Sequence, residues 1–191
     1  MKNNLTALLL IAVLLFVFTF SLLFTETYAQ PNQNKIEVGE EITYVVKYLA
    51  FEIGEIKLIV QKEQIEGNDT IYSAIAYINS YEGIPFVDLH QTYETKFNVQ
   101  QISNFFKGSV LADDTTFTKY HFNKNKNDIH IVKGRERTND IWTDTTIAYN
   151  RDYQDGLSLF YFARIRTGQE KKVNVPVFIN EKYEKTYINF Y

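Results

Sequence analysis

The chain has 191 residues, three histidines, no cysteine and a net charge of −3. Disulfides are therefore excluded, and no basic footprint for nucleic acid is present. The fold has to be held by burial, for which 14 Tyr and 15 Phe supply a large aromatic area.

Lys2 precedes an uncharged run over residues 5–24, and Thr25-Glu26-Thr27-Tyr28-Ala29-Gln30 follows. A positive start, an apolar run and a small residue at its end predict a secretory signal over residues 1–29, cut after Ala29. A run of about 20 such residues also has the length to span a bilayer, so an uncleaved anchor over residues 5–24 is the alternative. In that case the anchor is the chain's membrane contact and the inner membrane its location. No Cys stands at the cut, which argues against a lipid anchor. An exported chain without cysteine points to a bacterial envelope, in the periplasm or outer layer, rather than to a disulfide-stapled secreted module. Residues 30–36 then form a short polar linker, and residues 37–191 suffice for one β-rich domain.

Within "GEEITYVVKYLAFEIGEIKLIV" (39–60), Ile42, Tyr44, Val46 and Tyr48 alternate with Thr43, Val45, Lys47 and Leu49. That period of two predicts a strand. A turn over residues 52–55, with Gly54 at positive φ, would lead to a second strand at Ile56, Leu58 and Val60. Gly67-Asn68-Asp69 turns the chain into "TIYSAIAYINS" (70–80), where Tyr72, Ala74, Ala76 and Ile78 share one face. Gly83 and Pro85 break the chain before "FVDLHQTYETKF". "ISNFFKGSVL", "TFTKYHF", the polar turn "NKNKND" and "IHIV" come next, and Gly134-Arg135 reads as polar loop. "VNVPVFI" and "YEKTYINFY" flank Asn180-Glu181 near the end. Short strands at this spacing predict an antiparallel, mainly β domain.

"QDGLSLFYFARIRTG" (154–168) departs from the pattern. Asp155 suits an N-cap, Gly168 a C-terminal stop, and Arg164 and Arg166 the negative end of the helix dipole. Its apolar residues run all the way round, so a helix near residues 155–167 should be enclosed. A fully buried strand is the competing reading of so apolar a run. The last alternation, Tyr187, Asn189 and Tyr191 against Ile188 and Phe190, ends without a polar tail. Either that strand docks inside the sheet or the domain is incomplete at its C-terminus, with an open edge.

The Gly-Glu strand and turn of residues 39–60, then "YETKF", the "YHFNKNKND" hairpin and "DGLSLFYFAR", resemble in their order the bacterial domain-of-unknown-function family numbered 3108. The resemblance covers residues 37–191. It implies an exported protein of unassigned biochemistry, built on a strongly curved antiparallel sheet or half-open barrel that wraps a helix. Fold analogy of this kind carries no function.

Three function classes remain. The first is a non-catalytic binding or assembly module for an apolar ligand, with Phe105, Phe106, Phe160 and Phe162 as candidate lining residues. Curved sheets filled with aromatics sometimes keep a cavity, although an aromatic in a β core more often just fills it. The second is a structural or interaction protein of the envelope with a filled core and an envelope protein as partner. The third is a metal- or carboxylate-dependent hydrolase. Its metal candidates are His121 and His130, which one hairpin register sets side by side, with a carboxylate such as Asp128 to join them. A solvated polar hairpin face explains the same two residues. No cofactor is implied, since the 8 Gly are dispersed and form no phosphate loop. The chain also lacks a Gly-x-Ser-x-Gly elbow and a His-Glu-x-x-His pair. Ser158, close to Asp155, reads as a cap partner rather than a nucleophile.

Overall fold

β-branched and aromatic residues alternate with polar ones over most of the chain, and polar turns separate the runs. The computed structural model, which describes residues 35–85 and 87–190, folds them into ten strands and one helix. The strands are β1 (Glu41–Tyr48), β2 (Phe51–Glu66), β3 (Asp69–Ser80), β4 (His90–Asn98), β5 (Ser103–Val110), β6 (Thr116–Asn123), β7 (Asp128–Arg135) and β8 (Ile141–Ala148). Helix α1 (Gly156–Arg164) follows, then β9 (Lys172–Ile179) and β10 (Lys182–Asn189). The described residues belong to one compact unit, Gln33–Tyr191. The expected signal over 1–29, the alternative anchor over 5–24 and most of the 30–36 linker lie outside the described residues. Among the described residues no helix is long and apolar enough to cross a membrane.

Strands β1 to β8 pair antiparallel in sequence order, giving an eight-stranded sheet with β1 and β8 at its edges. β9 and β10 form a separate two-stranded sheet. The registers carry one set of side chains to one face: Leu58 opposite Ala76, Val60 opposite Ala74, Thr95 opposite Phe106, and Tyr120 opposite Ile131. This inner face is where the core forms. Leu58, Val60, Ala74, Ala76 and Phe97 are buried with Leu157 and Tyr161 of α1, and the Phe97 and Tyr161 rings stack at 5.2 Å. Farther along, Tyr120, Phe122, Ile129 and Ile131 pack with Tyr149, Tyr153 and Phe178 of β9. Each large side chain so buried contributes roughly 1.5–3 kcal/mol.

The helix is apolar on several sides because it has two neighbours. Leu157 and Tyr161 meet the sheet, while Phe162 packs with Val175, Val177 and Phe190 of the hairpin. Phe160 is left 40% exposed on the remaining side. Gln154, just before the helix, bonds to β9 through Pro176 O (3.1 Å) and the Phe178 amide (2.8 Å). The helix ends at Arg164, earlier than expected, and the chain turns on to Gly168 at φ +81°. β10 pairs with β9 alone, and Phe190 beyond it is buried in the hairpin cluster.

Four local expectations differ from the structure. Gly54 is not a turn residue: it lies inside β2, opposite Val46 and Ser80. The turn falls instead at Leu49, which takes φ 54°. Gly54 is needed for a different reason, since a Cβ there would lie 2.4 Å from Asn79 O. Gly54→Ala is therefore expected to cost about 1–3 kcal/mol through a forced backbone shift, read as a fall in the urea midpoint. A midpoint equal to that of the unaltered chain would mean that the sheet gives way there without loss. Strand β2 runs on to Glu66 across a bulge near Val60 and Lys62. Gly134 and Arg135 belong to β7, and β8 was not foreseen, because the Thr- and Asp-rich "IWTDTTIA" of an exposed edge lacks apolar alternation.

Candidate functional site

Part of the inner face is left uncovered between the sheet and the tip of the β9–β10 hairpin. Period-two geometry points Tyr93 of β4, Phe106 and Gly108 of β5, Thr118 and Tyr120 of β6 and Lys133 of β7 to this region. The registers fix them as neighbours: Tyr93 opposite Gly108, Phe106 opposite Tyr120, and Thr118 opposite Lys133. Together with Phe178 and the hairpin tip they line a cleft of about 340 Å³. Its floor is aromatic. Phe106 stacks on Tyr120 (5.4 Å, 24°) and meets Tyr93 edge-on (5.4 Å, 70°), while Phe178 stands edge-on to Tyr120 at 5.0 Å. Gly108 lies beneath both rings, where a Cβ would come into ordinary contact with Tyr93 and Phe106 at 3.4 Å.

The rim is polar. Asn180 and Glu181 turn the hairpin with φ 51° and 58°, the double left-handed geometry of a two-residue hairpin turn. Asn suits that geometry, whereas Glu does not. The Glu181 carboxylate has a compensating role, accepting from Lys133 Nζ at 2.6 Å and from the Tyr120 hydroxyl at 3.3 Å. The tip is thereby pinned onto the sheet. Burial, followed by the Glu181 charge, pushes the Tyr120 hydroxyl well above its ordinary pKa. The Tyr93 hydroxyl, also raised by burial, donates to Gln91 Oε1 at 2.9 Å. Glu181 is the one carboxylate among the lining residues, and Lys133 engages it.

Of the four candidate aromatics only Phe106 lines this cleft. Phe105 is its neighbour in β5 and so points to the outer face, where its ring lies 4.9 Å from that of His121. Phe160 and Phe162, two helical positions apart, face different ways. The Phe160 ring lies 5.7 Å from that of Tyr44, whereas Phe162 is buried against the hairpin with the Arg166 guanidinium 3.7 Å over its ring. Tyr93, Tyr120, Lys133, Phe178 and Glu181 were not singled out from sequence. Their strand alternation was legible, but the docking of the hairpin over the sheet was not.

His121 and His130 are direct partners across β6 and β7, their rings 6.2 Å apart and 28° from parallel. Asp128 does not join them; it accepts from Asn123 Nδ2 at 2.7 Å. The carboxylate that does approach is Asp144, whose Oδ1 lies 2.8 Å from His130 Nε2. Among the described residues no group of three or more His, Cys, Asp or Glu side chains is arranged to hold a metal ion. His90 stands apart, near Asn79 Oδ1 (3.0 Å) and Asp88 (3.3 Å). Comparison with known proteins returned no matching family model, no matching curated protein and no matching solved structure.

Proposed function

We propose that this chain is an exported, non-catalytic binding module of a bacterial envelope, and that it holds an apolar ligand in the cleft floored by Tyr93, Phe106, Tyr120 and Phe178. The observation that carries the reading is that floor: the partly exposed Tyr93 and Phe106, backed by the buried Tyr120 and Phe178, beside an opening of about 340 Å³, within the size range of small-molecule sites. The polar rim of Gln91, Lys133 and Glu181 suits a ligand with a polar end. The proposal extends to the shape of the sheet, a strongly curved, half-open wall around the helix and hairpin, as the likeness to the family numbered 3108 implies. That likeness rests on the order of the motifs in residues 37–191.

The test is binding of a fluorescent fatty acid to the purified chain, together with solvent extraction of co-purified lipid. Saturable binding is expected, weakened tenfold or more by Thr118→Trp, which fills the cleft from β6 while leaving the aromatic floor in place. A chain that yields no lipid on extraction and binds no fatty acid overturns the reading.

A second reading, an interaction protein of the envelope, is favoured by a different surface. Tyr48, Phe51, Ile53, Ile84, Pro85 and Val87 line a shallow apolar opening of about 610 Å³ beside the β1–β2 turn. Tyr48 and Phe51 are 67% and 70% exposed there. Crosslinking that captures an envelope protein through this end, with an empty cleft, would select it.

A further inference from the structure

The outer face of the sheet, turned away from the cleft, carries a row of Phe105, His121, His130 and Thr146 across β5 to β8, each residue the direct register partner of the next. From this row we infer that His121 and His130 form a surface site for a borderline divalent transition-metal ion such as Zn²⁺, completed by solvent and oriented by Asp144.

Three observations support it. First, the β6–β7 ladder sets the two residues directly opposite each other, so the backbone part of the ordering that chelation requires is already done. Second, the ring centres are 6.2 Å apart. Two imidazoles sharing a tetrahedral ion, with metal–nitrogen bonds of about 2.0–2.1 Å, place their centres about 5 Å apart, so chelation takes an approach of about 1 Å and a turn of the rings, now 28° from parallel, until one nitrogen of each points at the ion. Third, a carboxylate accepts hydrogen bonds, so the contact between His130 Nε2 and Asp144 Oδ1 (2.8 Å) puts the proton on Nε2 and leaves the Nδ1 lone pair for a metal. A carboxylate behind a ligating histidine in this way fixes the tautomer and raises its basicity.

The electrostatics are mixed. Lys96 and Lys119 act on His121 and oppose a cation, while Asp144 lies on the other side of the pair. The Phe105 ring lies 4.9 Å from the His121 ring on the side away from His130 in the strand order. The same imidazole chemistry selects Zn²⁺, Ni²⁺ or Cu²⁺ over Mg²⁺ and Ca²⁺, which prefer oxygen ligands.

The experiment is thermal unfolding of the full chain with Zn²⁺ in excess, and with Mg²⁺ as control. Zn²⁺ is expected to raise the Tm by roughly 5 °C, since it binds the folded state, and Mg²⁺ to leave it unchanged. The rise should vanish in both His121→Gln and His130→Gln, and Asp144→Asn should weaken Zn²⁺ binding about tenfold. A Tm unmoved by Zn²⁺, or an equal rise in either histidine variant, overturns the site. Should a variant fail to fold, NMR of the unaltered chain with substoichiometric Cu²⁺ decides the matter. Broadening of the His121 and His130 ring signals ahead of His90 supports the site, and broadening of His90 first or equally overturns it.

Discussion

Asp155→Ala is expected to lower the unfolding free energy by about 3–5 kcal/mol, more than an exposed helix cap would lose on the same change. The Asp155 side chain is fully enclosed and accepts four hydrogen bonds. Oδ1 takes the Leu157 and Ser158 amides at 2.7 and 2.9 Å, and Oδ2 takes the Thr95 and Ser103 hydroxyls at 2.6 and 2.7 Å. The Asp155 amide in turn donates to the hydroxyl oxygens of Ser103 and Ser158, both fully buried, at 2.7 and 3.0 Å. One carboxylate thus caps α1, holds the end of β4 and fixes the start of β5. Burial pushes its pKa up, and the bonds from Ser103, Thr95 and the two amides pull it back. Alanine would leave two amides and two hydroxyls enclosed without that acceptor. Asp155→Asn keeps a carbonyl for the amides but turns N–H groups toward the hydroxyls, and should lose less. Urea unfolding of the two variants separates the cases. An alanine variant within about 1 kcal/mol of the unaltered chain would show that the cluster is replaceable by water.

Arg164→Ala should cost about 2–4 kcal/mol, the next largest effect. Its guanidinium pairs with Glu40, just ahead of β1, and both side chains are largely enclosed, at 14% and 13% exposure. Arg164 Nη1 also donates to Lys35 O at 3.0 Å, so the last turn of α1 clamps the segment entering the sheet. Among the described residues Glu40 Oε2 and the Tyr161 hydroxyl are enclosed without a hydrogen-bond partner, and the Glu40 charge adds to burial in raising Tyr161. Removing the arginine leaves the glutamate charge in this poorly solvated place. Glu40→Ala/Arg164→Ala should therefore lose less than the two single changes added together, by at least about 1 kcal/mol in a double-mutant cycle. Strict additivity would mean that the pair contributes no more than a solvated surface pair.

The strands of the central sheet could be read from the chain wherever one face was buried. Tyr72, Ala74 and Ala76 on β3 announce an inner face because alternation and burial coincide there. The same rule fails for β8, whose edge position leaves nothing for an alternating apolar face to cover. It also placed a turn at Gly54, because glycine marks both positive φ and close backbone approach, and only the register distinguishes them. Asp155 and Ser158 were legible as a cap, since an N-cap is a local contact; Thr95 and Ser103, some sixty and fifty residues earlier, were not.

The candidate site divides in the same way. The opposition of His121 and His130 follows from the length of one polar turn, so it was one of the registers the chain allowed. Phe105 and Phe106 looked equivalent along the chain, yet a strand must send consecutive side chains to opposite faces, and only Phe106 reaches the cleft. Local periodicity thus prescribed most of the strands, and local capping chemistry the start of the helix, because each depends on neighbours a few residues away. The cleft depends on the β9–β10 tip resting on β6 and β7, where Glu181 meets Lys133 and Tyr120. That contact joins residues about fifty and sixty apart, and it forms because Phe178 and the inner face of the sheet bury apolar area against each other. No local pattern encodes that docking, so the tertiary structure decided where the open space lies.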